Sequence, residues 1–281
     1  MSTLINKNLD YDSYVKIADD VYWVGYADIK AGLQCNPYLI IDEDEGILID
    51  GGSRPDFSAV MMKVLSTGIK PESISYLIYQ HSDPDLCGSI ANFEDVINRG
   101  DLKILSQKDE NVFISYYYPK SELICIEDIE SKLTLSSGRT LRFYKTPYAH
   151  NPGSFITFDE KTGILFTSDI FGSYLLDINK WDLFLGLSED CRTCGDLNKE
   201  KVDCESIDSL CPLPHMLQFH RKVMTSNKAL RYAMKQVSAI KPKMIAPQHG
   251  SVIHREQDIS FIIDTFEKLS NVGIDGVPGI E

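Results

Sequence analysis

The sequence predicts a mixed α and β domain, α+β or layered α/β, with helices covering sheets. Three features lead there. Short apolar strands alternate with amphipathic helical stretches through both halves of the chain. A hairpin pattern occurs twice: Asp42-Glu43-x-x-Gly46-Ile47-Leu48 and Asp159-Glu160-x-x-Gly163-Ile164-Leu165 share their spacing, and each follows an apolar strand containing an aromatic. This repeat hints at a duplicated, two-halved architecture. Finally, the apolar fraction of 43% is enough to build a sizeable core.

The elements can be justified in order. Residues 21–26 read as an entry strand, and residues 37–41 and 47–50 as a hairpin about the acidic turn 42–46. Ser53 is an expected N-cap region with Pro55 in the first turn of a helix. Phe57, Val60, Met61, Val64 and Leu65 then form one apolar stripe. Residues 74–79 are a buried strand. A further strand at 102–105 precedes a short aromatic-rich helix around 113–118, and residues 123–126 form the next strand. Two hairpins follow, 132–135 with 140–144 and 154–158 with 164–167. A polar stretch, 188–214, carries Cys191, Cys194, Cys204 and Cys211 and reads as an insertion or loop within a single domain spanning 1–281. A helix is expected from Met216 to about Ile240, then a strand at 243–247 and a closing helix bearing Ile259, Ile262, Ile263, Phe266 and Leu269.

Composition excludes several classes. Lys and Arg number 28 against 41 Asp and Glu, a formal net charge of −13, which disfavours nucleic-acid and anionic-membrane binding. No apolar run approaches the ~20 residues of a membrane helix, and no secretory signal is visible at the N-terminus. Seven cysteines in such a chain read as reduced, cytoplasmic thiols.

Chemistry concentrates after the strand 74–79. His81, Asp83 and Asp85 alternate, so an extended backbone would put them on one face, with Pro84 blocking helix continuation. His150, Asp169 and His249 each sit just past another predicted strand. The resulting six donors, three imidazoles and three carboxylates without a thiolate, exceed one tetrahedral zinc site. Two ions bridged by a carboxylate would use them, and this donor mixture suits iron or manganese, with zinc also possible. His215, His220 and His254 do not fit the pattern and read as solvated helix residues. Cys87 reads as small buried packing, and Tyr116, Tyr117 and Tyr118 as a packing or dimer surface.

This pattern resembles the metallo-β-lactamase superfamily, whose motif is His-x-His-x-Asp-His followed by separate His, Asp and His. Asp83 stands where the hydrolases have their second histidine, and Leu86 where they have the last. An acid at the Asp83 position resembles the flavodiiron branch, and roughly residues 20 to 270 are similar to its flavodoxin-less relatives, the oxygen-binding di-iron proteins. The resemblance implies a metallo-β-lactamase-like αββα sandwich and two iron ions. His81, Asp83 and His150 would hold one, Asp85 and His249 the other, and Asp169 would bridge. It further implies no flavin domain, an apolar O2 pocket beside Leu86, and slow or reversible capture of dioxygen as a diferric-peroxo type adduct. Oxygen sensing linked to bacterial chemotaxis and a homodimer are part of the same expectation. Two alternatives follow from the wider superfamily: an O2 or NO reductase fed by an external rubredoxin-like donor, and a metal-dependent hydrolase. A partner-contacting scaffold is a further possibility.

Overall fold

A strand that is apolar on both sides must be covered on both sides, and that requirement sorts the side chains of this protein into layers. The computed structural model describes residues 9–26, 32–174, 181–193 and 212–279. One sheet runs, in spatial order, β1 (Val15–Ala18), β2 (Val21–Trp23), β3 (Tyr38–Asp42), β4 (Glu45–Ile49), β5 (Ile74–Ile78), β6 (Lys103–Ser106) and β7 (Glu122–Cys125). It is antiparallel through β4 and parallel beyond. The other contains β8 (Lys132–Thr134), β9 (Thr140–Lys145), β10 (Phe155–Asp159), β11 (Ile164–Phe166) and β12 (Met244–Ala246), with only the β11–β12 pair parallel.

Alternation decides which layer each residue joins. Tyr38 and Ile40 of β3 face inward with Ile49, Ile78 and Leu105, and meet Leu141, Phe143, Phe155, Ile164 and Phe166 of the other sheet. Leu39, Leu48, Leu77 and Ile104 face outward beneath α1 (Phe57–Ser66) and α3 (Ile90–Ile97). Ile156, Leu165 and Ile245 face out on the second sheet, under α6 (Leu213–Val223), α7 (Asn227–Ile240) and α8 (Glu256–Glu267). The architecture is therefore an αββα sandwich. Its two halves share a motif: a hairpin, β3–β4 or β10–β11, followed by a parallel partner, β5 or β12.

Several local expectations are corrected. α1 starts at Phe57, not near Ser53; the Asp56 carboxylate accepts from both the Ser53 N–H and its hydroxyl, so Ser53 belongs to a preceding turn. Leu65 is exposed while Lys63 is buried, because the Lys63 ammonium lies over the Trp23 ring and donates to the carbonyls of Tyr11 and Gly25. Pro84 begins a helix rather than preventing one: α2 (Pro84–Cys87) has Pro at its first position, where the missing N–H costs nothing. The expected 216–240 helix is two helices, separated where Ser226 caps α7 by accepting from the Ala229 N–H. α3 had no counterpart in the sequence reading, and the aromatic helix begins earlier, as α4 (Lys108–Ile114). Cys191 falls in α5 (Glu189–Thr193); Cys194, Cys204 and Cys211 lie outside the described residues.

Candidate metal centre

β5, β9, β11 and β12 end at the same edge of the sandwich, the usual place for a site on a layered scaffold. His81 follows β5, and the Gln80 carbonyl accepts from the Phe155 N–H at 3.2 Å, tying that segment to the second sheet. His150 follows β9, Asp169 follows β11 and His249 follows β12. All six sequence-predicted residues meet there. His150 Nε2 lies 3.0 Å from Asp169 Oδ2 and 3.5 Å from Asp83 Oδ2. His81 Nε2 is 3.8 Å from both Asp83 Oδ2 and Asp169 Oδ1. On the other side, His249 Nε2 is 3.2 Å from Asp85 Oδ2 and 3.4 Å from Asp169 Oδ1. Asp169 thus stands between two groups, its Oδ2 against His150 and its Oδ1 between His81 and His249. Asp85 joins them from the first turn of α2 rather than from an extended strand. The Asp83 and Asp85 side chains are 36% and 33% exposed, whereas His81, Asp169 and His249 are buried, so the site opens past these two acids.

A set of neighbours absent from the sequence reading aims these donors. The Ser168 hydroxyl bonds His81 Nδ1 at 2.7 Å, and His249 Nδ1 donates to the Gln34 carbonyl at 2.6 Å. Both contacts leave Nε2 facing the centre, the arrangement that metal-binding histidines need. Asn151 donates to Asp83 Oδ1 at 2.8 Å, turning Oδ2 toward the imidazoles. Buried Glu110 accepts from the Ser82 N–H at 2.9 Å and the Gly153 N–H at 2.8 Å, clamping the His81 and His150 loops together. Ser168 and Asn151 adjoin predicted donors and could have been suspected; Glu110 lies in α4 and carries no local signal.

The electrostatics are those of a cation site. Burial would raise Asp169, but the charges of His81 and His249, together with the close approach of His150 to its Oδ2, hold its carboxyl well below the usual range. Burial would likewise depress His249, yet Asp169 and Asp85 raise it well above the ordinary imidazole value. His150 is raised for the same reason, with burial opposed by Asp169. His81 Nε2 and Asp169 Oδ1 are buried without any hydrogen-bond partner. Unpartnered buried donors converging with carboxylates are what a bound cation would satisfy, so the residues fit a metal pair.

Two residues depart from the sequence reading. His220 is fully buried rather than solvated: its Nε2 accepts from the Phe171 N–H at 2.8 Å and its Nδ1 donates to the Met216 carbonyl at 2.7 Å. A thiol also stands beside the site: Cys35 lies with Asp85 and His249. Leu86 is fully buried in the apolar cluster beneath α1 and α3. Cys87 is buried and its thiol donates to the His81 carbonyl, consistent with packing.

Sandwich and site together define a metallo-β-lactamase-like domain with a paired-ligand centre. Residues 33–250 match the ODP family beta lactamase profile, and the chain belongs to that family. Among solved structures, the chemotaxis sensor ODP in its peroxy diiron species is similar at 26% identity and TM-score 0.71, covering 94% of this chain and 97% of that one. The rubredoxin oxygen:oxidoreductase of Desulfovibrio gigas shares the fold at 19% identity and TM-score 0.70, over 91% of this chain and 61% of that one. Diflavin flavoprotein A 1 of Synechocystis is 31% identical over 57% of this chain. An uncharacterized protein of Methanocaldococcus jannaschii is 27% identical over 61% of it. The matches span only 28% and 45% of those two relatives. Among the described residues, no helix is long and apolar enough to cross a membrane.

Proposed function

We propose that this chain is a single-domain, non-haem di-iron protein that captures dioxygen slowly or reversibly and serves as an oxygen sensor. The observation that carries the reading is Asp169, whose carboxylate lies between His81 and His150 on one side and His249 on the other. His81, Asp83 and His150 would hold one iron, Asp85 and His249 the other, with Asp169 shared. A ferrous pair bound there supplies electrons to a diatomic gas. The protein's own residues do the rest. Ser168 and Gln34 fix the imidazole orientations, and Glu110 and Asn151 fix the loops. Leu86 brings no nitrogen to the second group and packs instead beneath α1 and α3, so the ligand pocket expected beside it is not formed by its side chain; a small uncharged ligand such as O2, with NO as an alternative, would enter past Asp83 and Asp85. Membership of the ODP family and the likeness to a chemotaxis sensor support signalling as the role. A homodimer and a downstream chemotaxis partner belong to the same proposal.

The test is to load the protein with ferrous iron without oxygen and then admit air. Sensor behaviour predicts a visible absorption band that persists and little gas consumed. Sustained O2 or NO consumption with a rubredoxin-like donor would replace this reading with the reductase, which the flavodiiron-like fold makes the second choice.

A further inference from the structure

The two donor groups are unequal in the histidines they receive. His81 and His150 both face the first, whereas His249 alone faces the second. Leu86, the residue following Asp85, has nothing to coordinate with. The described residues place another donor on that side. Cys35 Sγ, a carboxylate oxygen of Asp85 and a ring nitrogen of His249 lie within 4.8 Å of one another, as do donor atoms of His81, His150 and Asp169. Asp169 Oδ1, buried and without a hydrogen-bond partner, is 3.4 Å from His249 Nε2 and completes that side.

Cys35 is held there by a built strap. The Asn36 N–H donates to the Gln248 carbonyl at 2.8 Å, and the Asn36 amide donates to the Pro247 and Gly250 carbonyls at 3.1 and 3.0 Å. The Gln34 carbonyl accepts from His249 Nδ1. Residues on both sides of Cys35 are therefore bolted to both sides of His249, and the thiol is only 7% exposed. A cysteine so placed beside a histidine and a carboxylate has the chemistry of a metal ligand.

We infer that Cys35 is a thiolate ligand of the second metal ion, supplying the donor that Leu86 cannot. This rests on the paired-metal reading of the site. On binding, the S–H bond breaks, its proton leaves to solvent, and a metal–sulfur bond forms without any change of oxidation state. Ligand entry then falls to the open side past Asp83 and Asp85.

Cobalt(II) added to the metal-free full chain tests it. The second equivalent should bring a near-ultraviolet sulfur-to-cobalt charge-transfer band. Cys35→Ser should lose the band and bind the second cobalt at least about 10-fold more weakly, while the first site is retained. Replacing Cys191, Cys194, Cys204 and Cys211 together by Ser should leave the band intact. Two bound cobalt ions without a band, or a band that survives Cys35→Ser, would overturn the inference and leave the paired site standing. A wild-type chain that binds no more than one cobalt would overturn the site reading itself. If Cys35→Ser does not fold, X-ray absorption on the cobalt-loaded four-serine protein with Cys87→Ala and Cys125→Ser added decides: a sulfur scatterer supports Cys35, and a shell of nitrogen and oxygen alone overturns it.

Discussion

His220 shows how much one buried imidazole can dictate. It must stay neutral, because Nε2 is engaged as the acceptor of the Phe171 N–H. Burial pushes its pKa down to about 4. In the unfolded chain the ring takes a proton near pH 6.5. Between those values the unfolded state binds more protons, so stability contributed here is complete above about pH 6.5 and falls as pH drops toward 4. The loss is on the order of 3 kcal/mol. Urea unfolding of the metal-free protein should show the advantage of wild type over His220→Gln shrinking from pH 7.5 to 4.5; a constant difference would contradict this. Ser168 acts differently, holding the His81 ring by one bond. Ser168→Ala should weaken metal binding about 10-fold, read by chelator competition, with little change in the stability of the metal-free protein.

At the scale of elements, the strap 34–36 couples the first sheet to the last strand. Asn36 is fully buried, accepts from Trp23 Nε1 and Gln34 Nε2, and donates to two carbonyls beyond β12. Asn36→Ala would leave several of these groups unpaired, each costing about 1–3 kcal/mol. Its urea midpoint should drop markedly, and binding of the second metal should suffer more than the first. Equal loss at both sites would argue against the strap. This strap also marks where sequence reading ends. Strands, hairpins and the six donors were legible because periodicity and position after a strand are local signals. Cys35 was not, since its neighbour His249 lies 214 residues away and only tertiary pairing joins them. Asp85 was placed on the right site by the wrong backbone: alternation suggested a strand, and Pro84 instead opened a helix. The break at Ser226 and the burial of His220 likewise depend on how helices dock on the second sheet.

For the whole molecule, the two halves share one layout, a hairpin followed by a parallel strand. The two hairpins carry Asp42 and Asp159 at matching places, and buried Arg139 meets both, bidentate on Asp159 at 2.5 and 3.1 Å and 3.6 Å from Asp42. This ion group lies away from the metal centre, at the turn ends of the strands. Arg139→Ala would remove the bidentate partner of buried Asp159, while Asp42 keeps Lys161 and Ser137, and should destabilise the fold by about 3–5 kcal/mol without altering metal stoichiometry; a near-neutral result in thermal unfolding would contradict that. At the opposite end, the carboxyl ends of four strands gather three imidazoles and two acids around the Asp169 carboxylate. Metal content of protein purified without oxygen addresses that claim most directly. The account predicts two irons per chain with negligible zinc, and a single metal, none, or zinc in place of iron would contradict it.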